Sequence, residues 1–335
     1  MSTEISPQST GIQLQAPPDQ PISDLSLSQY GRQLRFDEKF LKKANEVCTK
    51  VCDGINGTEF KPDRFSVSES HVCQEGAEDT GVDIVAYLKE THDQQQAKAK
   101  FHEVIKQMGG QKMECDDKGV IHFELDKVKV NLGTSVSRGP TIGEHRQAVF
   151  QQTTKLDKEG KLQKSQIEKV SVDLHDSMSE FMAKDRDEFD MAAQRLARAW
   201  RRTALAPWGD WFSPLDAALI MQRSLDTERH RTAGSVAMGN VMRRFLSDLS
   251  NIEDMSLTFP ETSLYEWSMV PQWIQQERPL LLDPVNPFRN PFSGLNRNVF
   301  RDIRNRAQEA LKLIESSASM SDLFQMPPES EKRGA

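Results

Sequence analysis

Residues 82–88 read Val-Asp-Ile-Val-Ala-Tyr-Leu, an apolar run that a single aspartate interrupts. This composition predicts a buried strand. Two neighbouring patterns predict further strands. Phe65 and Val67 alternate with polar residues, and residues 120–132 form two apolar segments on either side of Asp126 and Lys127, which is typical of a β-hairpin with a tight polar turn. The N-terminal half is therefore expected to contain a small mixed sheet.

The rest of the periodic sequence is helical. Apolar residues recur at helical spacing over residues 36–51 and 92–108, and from about residue 165 onward this spacing dominates. Helices are predicted over residues 189–203, behind Ser213 and Pro214, and over residues 234–250 and 299–314. The predicted fold class is α+β, with a mixed sheet core and a helical C-terminal sub-domain.

Both ends of the chain are polar. Only 37% of the 335 residues are apolar, and residues 1–33 are rich in Ser, Gln and Pro, so we predict a disordered tail there and a second one over residues 315–335. A short apolar cluster in the second tail, Leu323, Phe324 and Met326, is either a motif for a partner or has no function. The tails leave an N-terminal lobe over residues 34–165 and a helical lobe over residues 166–314.

Charge and targeting signals exclude several classes of protein. The formal charge of −7 argues against a globally basic nucleic-acid binder. No apolar run approaches the roughly 20 residues that a membrane-spanning helix needs, and the N-terminus lacks the basic and apolar regions of a secretory leader. Together with four cysteines in a long chain, these features predict an intracellular protein with reduced thiols, in the cytoplasm or the nucleus.

The most specific segment is residues 278–294, RPLLLDPVNPFRNPFSG, followed by a helix that contains Ala307-Gln308-Glu309-Ala310. This pattern closely resembles the C-terminal signature of the 2′-5′-oligoadenylate synthetases, which share a nucleotidyltransferase fold with the cyclic GMP-AMP synthases. The resemblance extends over roughly residues 35–315. It implies that residues 34–165 are a nucleotidyltransferase-like lobe, and that residues 81–88 are similar to the family's metal-binding strand.

The resemblance also implies where catalytic residues would lie. Nucleotidyl transfer uses two Mg²⁺ ions held by three carboxylates. The first carboxylate position is Gly81 and the third is Asn131, so Asp83 alone remains. The phosphate-binding Gly-Ser turn falls at residues 66–70, which lack glycine and contain Glu69. Asp83 is therefore a metal ligand only if the protein is active, with Glu75, Glu78 or Asp79 as substitutes from the preceding loop; otherwise it is a relic or an ion-pair partner.

In the same family, double-stranded RNA binds along a basic surface through phosphate contacts. Arg195, Arg198, Arg201 and Arg202 on one predicted helix are the candidates for such a surface, and the alternative is a solvated helix face paired with nearby acids.

We therefore expect an inactive relative of the oligoadenylate synthetases, without a cofactor, that binds protein or RNA as a scaffold. The alternative is an active template-independent nucleotidyltransferase that uses ATP and Mg²⁺ and is activated by double-stranded RNA. The sequence makes no prediction of the oligomeric state.

Overall fold

The computed structural model describes residues 17–34, 38–68, 81–116, 119–184, 186–205, 212–232 and 235–324. A five-stranded sheet occupies the N-terminal half, and the predicted α+β class is confirmed. The strands are β1 (Arg64–Ser68), β2 (Gly81–Leu88), β3 (Gln111–Cys115), β4 (Ile121–Leu125) and β5 (Val128–Val136). Their order across the sheet is β1-β2-β5-β4-β3. The sheet is mixed because β2 and β5 are parallel whereas the other neighbours are antiparallel.

The predicted hairpin joins β4 to β5. Asp126 and Lys127 form its turn, both with positive φ, as a two-residue type I′ turn requires. The edge strand β3 was not predicted from the sequence. It is paired on one side only and is mostly exposed, so it lacks the apolar alternation by which strands are recognised.

The two faces of the sheet differ in character. Alternate residues of the strands point to one face, where they form an apolar core with helices α2 (Glu38–Asn56) and α3 (Gln94–Gln107). The central members of this core are Val82, Ile84, Val130, Leu132 and Phe101. The residues between them therefore point to the opposite face, which carries polar side chains.

A second and larger core is helical. It contains helices α4 (Ile142–Lys158), α5 (Lys164–Asp173), α6 (His175–Ala183), α7 (Glu188–Ala204), α8 (Pro214–Thr232), α9 (Met238–Ser250) and α11 (Arg297–Glu315). The short elements α10 (Gln272–Gln275), β6 (Ser256–Leu257) and β7 (Leu280–Leu281) complete this part of the chain. Val149 and Phe150 of α4 belong to the helical core, although they precede residue 165, the predicted boundary between lobes. In the part of the chain that the structure describes, no helix is long and apolar enough to cross a membrane.

The predicted extents of both tails are wrong. Helix α1 (Asp24–Gln33) lies within the expected N-terminal tail, capped by Ser23, and buries Leu27 and Tyr30 in the helical core. At the other end, helix α12 (Met320–Leu323) precedes Phe324, whose ring lies 5.0 Å from that of Tyr30. A few well-spaced apolar residues anchor each segment, and the polar residues around them concealed this signal. Residues 1–16 and 325–335, including Met326, lie outside the described residues.

Candidate active site on the polar face of the sheet

Three polar side chains lie side by side across the polar face of the sheet. Asp83 of β2 is in register with Asn131 of the parallel strand β5, and Asn131 is paired with His122 of β4. Because residues in register on adjacent strands point to the same face, their side chains meet. The Asn131 Nδ2 donates to Asp83 Oδ1 at 2.7 Å, and the His122 Nδ1 lies 2.7 Å from Asn131 Oδ1.

The row continues to a fourth residue. His122 Nε2 lies 3.3 Å from Asp116 Oδ2, at the end of β3. The carboxylate of Asp83 fixes the orientation of the Asn131 amide, because only the NH₂ group can donate to it. The amide oxygen then faces His122, so Nδ1 of this ring carries a hydrogen. We call Asp83, Asn131, His122 and Asp116 the polar row.

The polar row does not fit a two-metal centre. Gly81, two residues before Asp83 on the same strand, supplies no ligand, and Asn131 replaces a carboxylate by a neutral amide. Among the residues that the structure describes, no group of three or more His, Cys, Asp or Glu side chains is arranged to hold a metal ion. Glu69, Glu75, Glu78 and Asp79 lie outside those residues. The role of Asp83 as a metal ligand therefore stays a prediction.

The other end of the polar face is covered by the junction of α5 and α6. Arg64 of β1 stacks on the ring of Tyr87, 4.2 Å from its centroid, and pairs with Asp176 at 2.9 Å. The Tyr87 hydroxyl accepts from the backbone N–H of Asp176 and donates to the carbonyl of Asp173. Burial raises the pKa of Tyr87. These contacts attach the helical part of the chain to the edge of the sheet.

His145 of α4 belongs to the same junction. Its Nδ1 accepts from the N–H of Arg138 at 3.1 Å, and its Nε2 donates to the carbonyl of Asp173 at 2.7 Å. A neutral ring satisfies both bonds, and burial lowers the pKa of His145. We therefore interpret His145 as a structural group, since neither nitrogen is left to contact a ligand.

The signature segment at residues 278–294 packs into the helical core. Asp283 is 2% exposed, and its Oδ1 accepts from the N–H groups of Val285 and Asn286. Arg289 bridges Asp283, at 3.0 Å, to Asp216 at the start of α8, at 3.2 Å. The flanking carboxylates raise the pKa of Arg289 against the opposing effect of burial. The segment therefore joins the loop before α11 to α8.

The four candidate RNA-binding arginines do not form an open surface. Arg198 is 1% exposed, and the Arg195 side chain is 10% exposed and pairs with Glu188 at 3.0 Å. Arg201 donates to the carbonyl of Phe212. Burial raises the pKa of the Tyr30 hydroxyl to about 12, and the nearby Arg202 opposes this rise. Arg198 and Arg195 are therefore enclosed, because α7 is packed on more sides than its polar residues suggest, and the RNA contact stays a prediction.

Sequence reasoning missed His122 and Asp116. The register of a hairpin with a two-residue turn is fixed, so the turn at Asp126 and Lys127 already places His122 opposite Asn131. This signal was available in the sequence. The approach of Asp116 was not, because it depends on the unpredicted strand β3.

No protein-family model and no curated protein sequence matches this chain. Solved structures do match it. The structure of E. coli MS115-1 CdnC with ATP has a TM-score of 0.61 and 14% identity, and covers 88% of this chain and 92% of that one. The Cid1 poly(U) polymerase with bound MgGTP has a TM-score of 0.60 and 11% identity, over 91% of this chain and 98% of that one. A complex of E. coli MS115-1 CdnC with HORMA-deltaN gives a TM-score of 0.59 at 14% identity, covering 84% and 87%. At these identities the likeness establishes the fold alone, which is that of the nucleotidyltransferases.

Proposed function

We propose that this protein is a catalytically inactive relative of the 2′-5′-oligoadenylate synthetases that works by binding a protein partner. The observation that carries the proposal is the bond from Asn131 Nδ2 to Asp83 Oδ1, 2.7 Å long. In the resembled family, the position of Asn131 holds the third carboxylate of a two-metal centre.

Charge supports the same conclusion. Three carboxylates bring three negative charges to two Mg²⁺ ions, whereas Asp83, Gly81 and Asn131 together bring one. The Asn131 N–H also occupies an oxygen of Asp83 that a metal would need. Turning the Asn131 amide over would place its oxygen against the Asp83 carboxylate, which only accepts hydrogen bonds, so the contact with Asp83 holds the amide in this orientation.

A nucleotidyl-transfer assay tests this proposal directly. Full-length protein would be incubated with each labelled ribonucleoside triphosphate, Mg²⁺ or Mn²⁺, with and without double-stranded RNA, and the products separated by chromatography. We expect no linear or cyclic product above that of the Asp83→Ala variant. Product that requires Asp83 would overturn the proposal in favour of the alternative, an active template-independent nucleotidyltransferase that uses ATP and Mg²⁺.

A gain-of-function variant tests the physical reason. The double substitution Gly81→Asp with Asn131→Asp restores both missing carboxylates, and we expect it to bind Mn²⁺ measurably, by electron paramagnetic resonance, where the parent does not. Gly81→Asn with Asn131→Ala is the matched control at the same positions without added charge. Equal Mn²⁺ binding by parent and double variant would show that the missing carboxylates are not what limits metal binding.

We place a protein partner ahead of RNA for two reasons. Arg195 and Arg198 are enclosed, and the CdnC neighbour is known in a complex with a HORMA protein. Fluorescence anisotropy with a labelled 30-base-pair RNA at 50 mM salt would test the order. We expect no saturable binding. Saturable binding that weakens steeply with salt, and that Arg202→Glu reduces, would favour RNA instead.

A further inference from the structure

Two nucleophilic side chains lie at the turn between β3 and β4. Cys115, the last residue of β3, is in register with Ile121 of β4, and Ile121 belongs to the core between the sheet and α3. Because residues in register on adjacent strands point to the same face, the Cys115 thiol lies on the α3 side of the sheet. Lys98 of α3 reaches the same turn from that side.

The backbone of this turn brings the thiol and the amine together. The Asp116 carbonyl accepts from the N–H of Gly119 at 2.9 Å and from the Cys115 Sγ at 3.8 Å. Gly119 has a φ of +76°, and a Cβ on this residue would overlap Lys98 Nζ. The amine therefore rests directly on the glycine, and both nucleophiles contact the backbone of one short turn.

Both groups are available for reaction. Cys115 is an exposed free cysteine. Lys98 is half-buried and makes no ion pair with any residue that the structure describes. The neighbouring carboxylate of Asp116 is engaged elsewhere, because its Oδ1 accepts from the N–H of Val120 at 2.8 Å and its Oδ2 lies 3.3 Å from His122 Nε2.

The surroundings of Lys98 favour the neutral amine, which is the nucleophilic form. Burial lowers the pKa of the Lys98 ammonium group, and the positive charge of Lys169 lowers it further. The charges of Cys115 and Asp116 act in the opposite direction and are smaller effects. Desolvation and a neighbouring cation are two ways in which proteins activate a lysine as a nucleophile. A thiol beside such an amine can accept an acyl group from a thioester by exchange and then donate it to the amine.

We propose that Cys115 and Lys98 are an acyl-transfer pair, in which the thiol takes an acyl group from a thioester and passes it to the Lys98 amine. In the first step the Cys115 thiolate attacks the carbonyl carbon of the donor, a new S–C bond forms, and the donor thiolate leaves. In the second step the neutral amine attacks the same carbon. An amide bond forms, the Cys115 S–C bond breaks, and the amine proton passes to the released thiolate, so no oxidant or reductant is needed.

Acylation of the full-length protein by two thioesters, acetyl-CoA and S-acetylglutathione, tests the proposal. Peptide mass spectrometry would measure the amide at each lysine over time, and hydroxylamine, which cleaves thioesters but not amides, would report acyl groups on cysteine. We expect Lys98 to be acylated at least tenfold faster than Lys100 of the same helix, which pairs with Glu103 at 3.2 Å. The reason is that a thioester on Cys115 presents the acyl group to Lys98 at a high effective concentration. The donor that reacts faster identifies the source of the acyl group.

Substitutions in the pair separate the two steps. Cys115→Ser should lower the rate of Lys98 acylation at least tenfold, whereas the matched control Cys52→Ser, at a less exposed thiol, should change it less than twofold. Lys98→Arg removes the acceptor, so a hydroxylamine-sensitive acyl group should accumulate on Cys115. Far-UV circular dichroism of each variant would show that it is folded.

Three results would overturn the proposal: acylation of Lys98 at the parent rate in Cys115→Ser, an acyl group that stays on Cys115 in the parent protein, or acylation of Lys98 no faster than that of Lys100. Neither nucleophile belongs to the polar row, and none of these measurements involves a nucleotide. The acyl transfer and the proposed absence of nucleotidyl transfer are therefore tested independently.

Discussion

Replacing Arg289 by methionine tests an ion-pair network of the helical core. Arg289 contacts the carboxylates of Asp283 and Asp216, which are 2% and 4% exposed. Methionine fills similar space but leaves both buried carboxylates without their cation. Removing one partner of a fully buried pair costs about 3–5 kcal/mol. Because a quarter of the Arg289 side chain is exposed, we expect about 2–4 kcal/mol, after a discount for solvent screening.

Urea unfolding at pH 7.5, followed by far-UV circular dichroism, measures this loss. Arg304→Met is the matched control, because Arg304 pairs with Glu253 at 2.7 Å on the surface and should cost less than about 1 kcal/mol. In a double-mutant cycle with Asp283→Asn, the two changes should couple by about 1 kcal/mol or more. A loss for Arg289→Met no larger than that of the control, or strictly additive effects in the cycle, would refute the reasoning.

Three further predictions concern other parts of the chain. Burial lowers the pKa of His145, so this residue binds a proton more readily in the unfolded chain than in the folded one. The free energy of unfolding should therefore fall as the pH drops below about 6.5. The urea midpoints at pH 7.5 and 5.5 should differ more in the parent protein than in the His145→Gln variant. Gly31→Ala would place a Cβ 2.7 Å from the carbonyl oxygen of Ala192, and it should lower the melting temperature by an amount equivalent to about 1–3 kcal/mol. The control Gly143→Ala, at a position with open space, should leave the melting temperature unchanged. Equal melting temperatures of the two variants would show that α1 does not pack closely on α7. Burial raises the pKa of the Cys52 thiol to about 12, so in a Cys73→Ser background Ellman's reagent at pH 8 should modify the exposed Cys115 well before Cys52, and equal rates would contradict this.

The sheet was more predictable than the ends of the chain, for a physical reason. Strands β2, β4 and β5 are paired on both sides and covered on at least one face. Because burial requires apolar residues at these positions, the strands are visible in the sequence as apolar patterns. Helix α1 buries Leu27 and Tyr30 against helices from distant parts of the chain. The local sequence of α1 gives no information about those helices, so this burial was not predictable from it. Arg198 was misjudged for the same reason, since a charged residue signals exposure only when its surroundings are known.

The site and the signature give different kinds of information about function. The resemblance to the oligoadenylate synthetases is strongest in the signature segment. Asp283 and Arg289 of this segment nevertheless bond to backbone and to α8 rather than to the polar face. These contacts stabilise the fold whether or not the protein catalyses anything, so the presence of the segment indicates the fold. Catalysis depends on a few side chains that the fold does not need, and Asn131 can replace a carboxylate because His122 and Asp83 satisfy its amide. The resemblance and the proposed loss of activity are therefore compatible, because they rest on different residues.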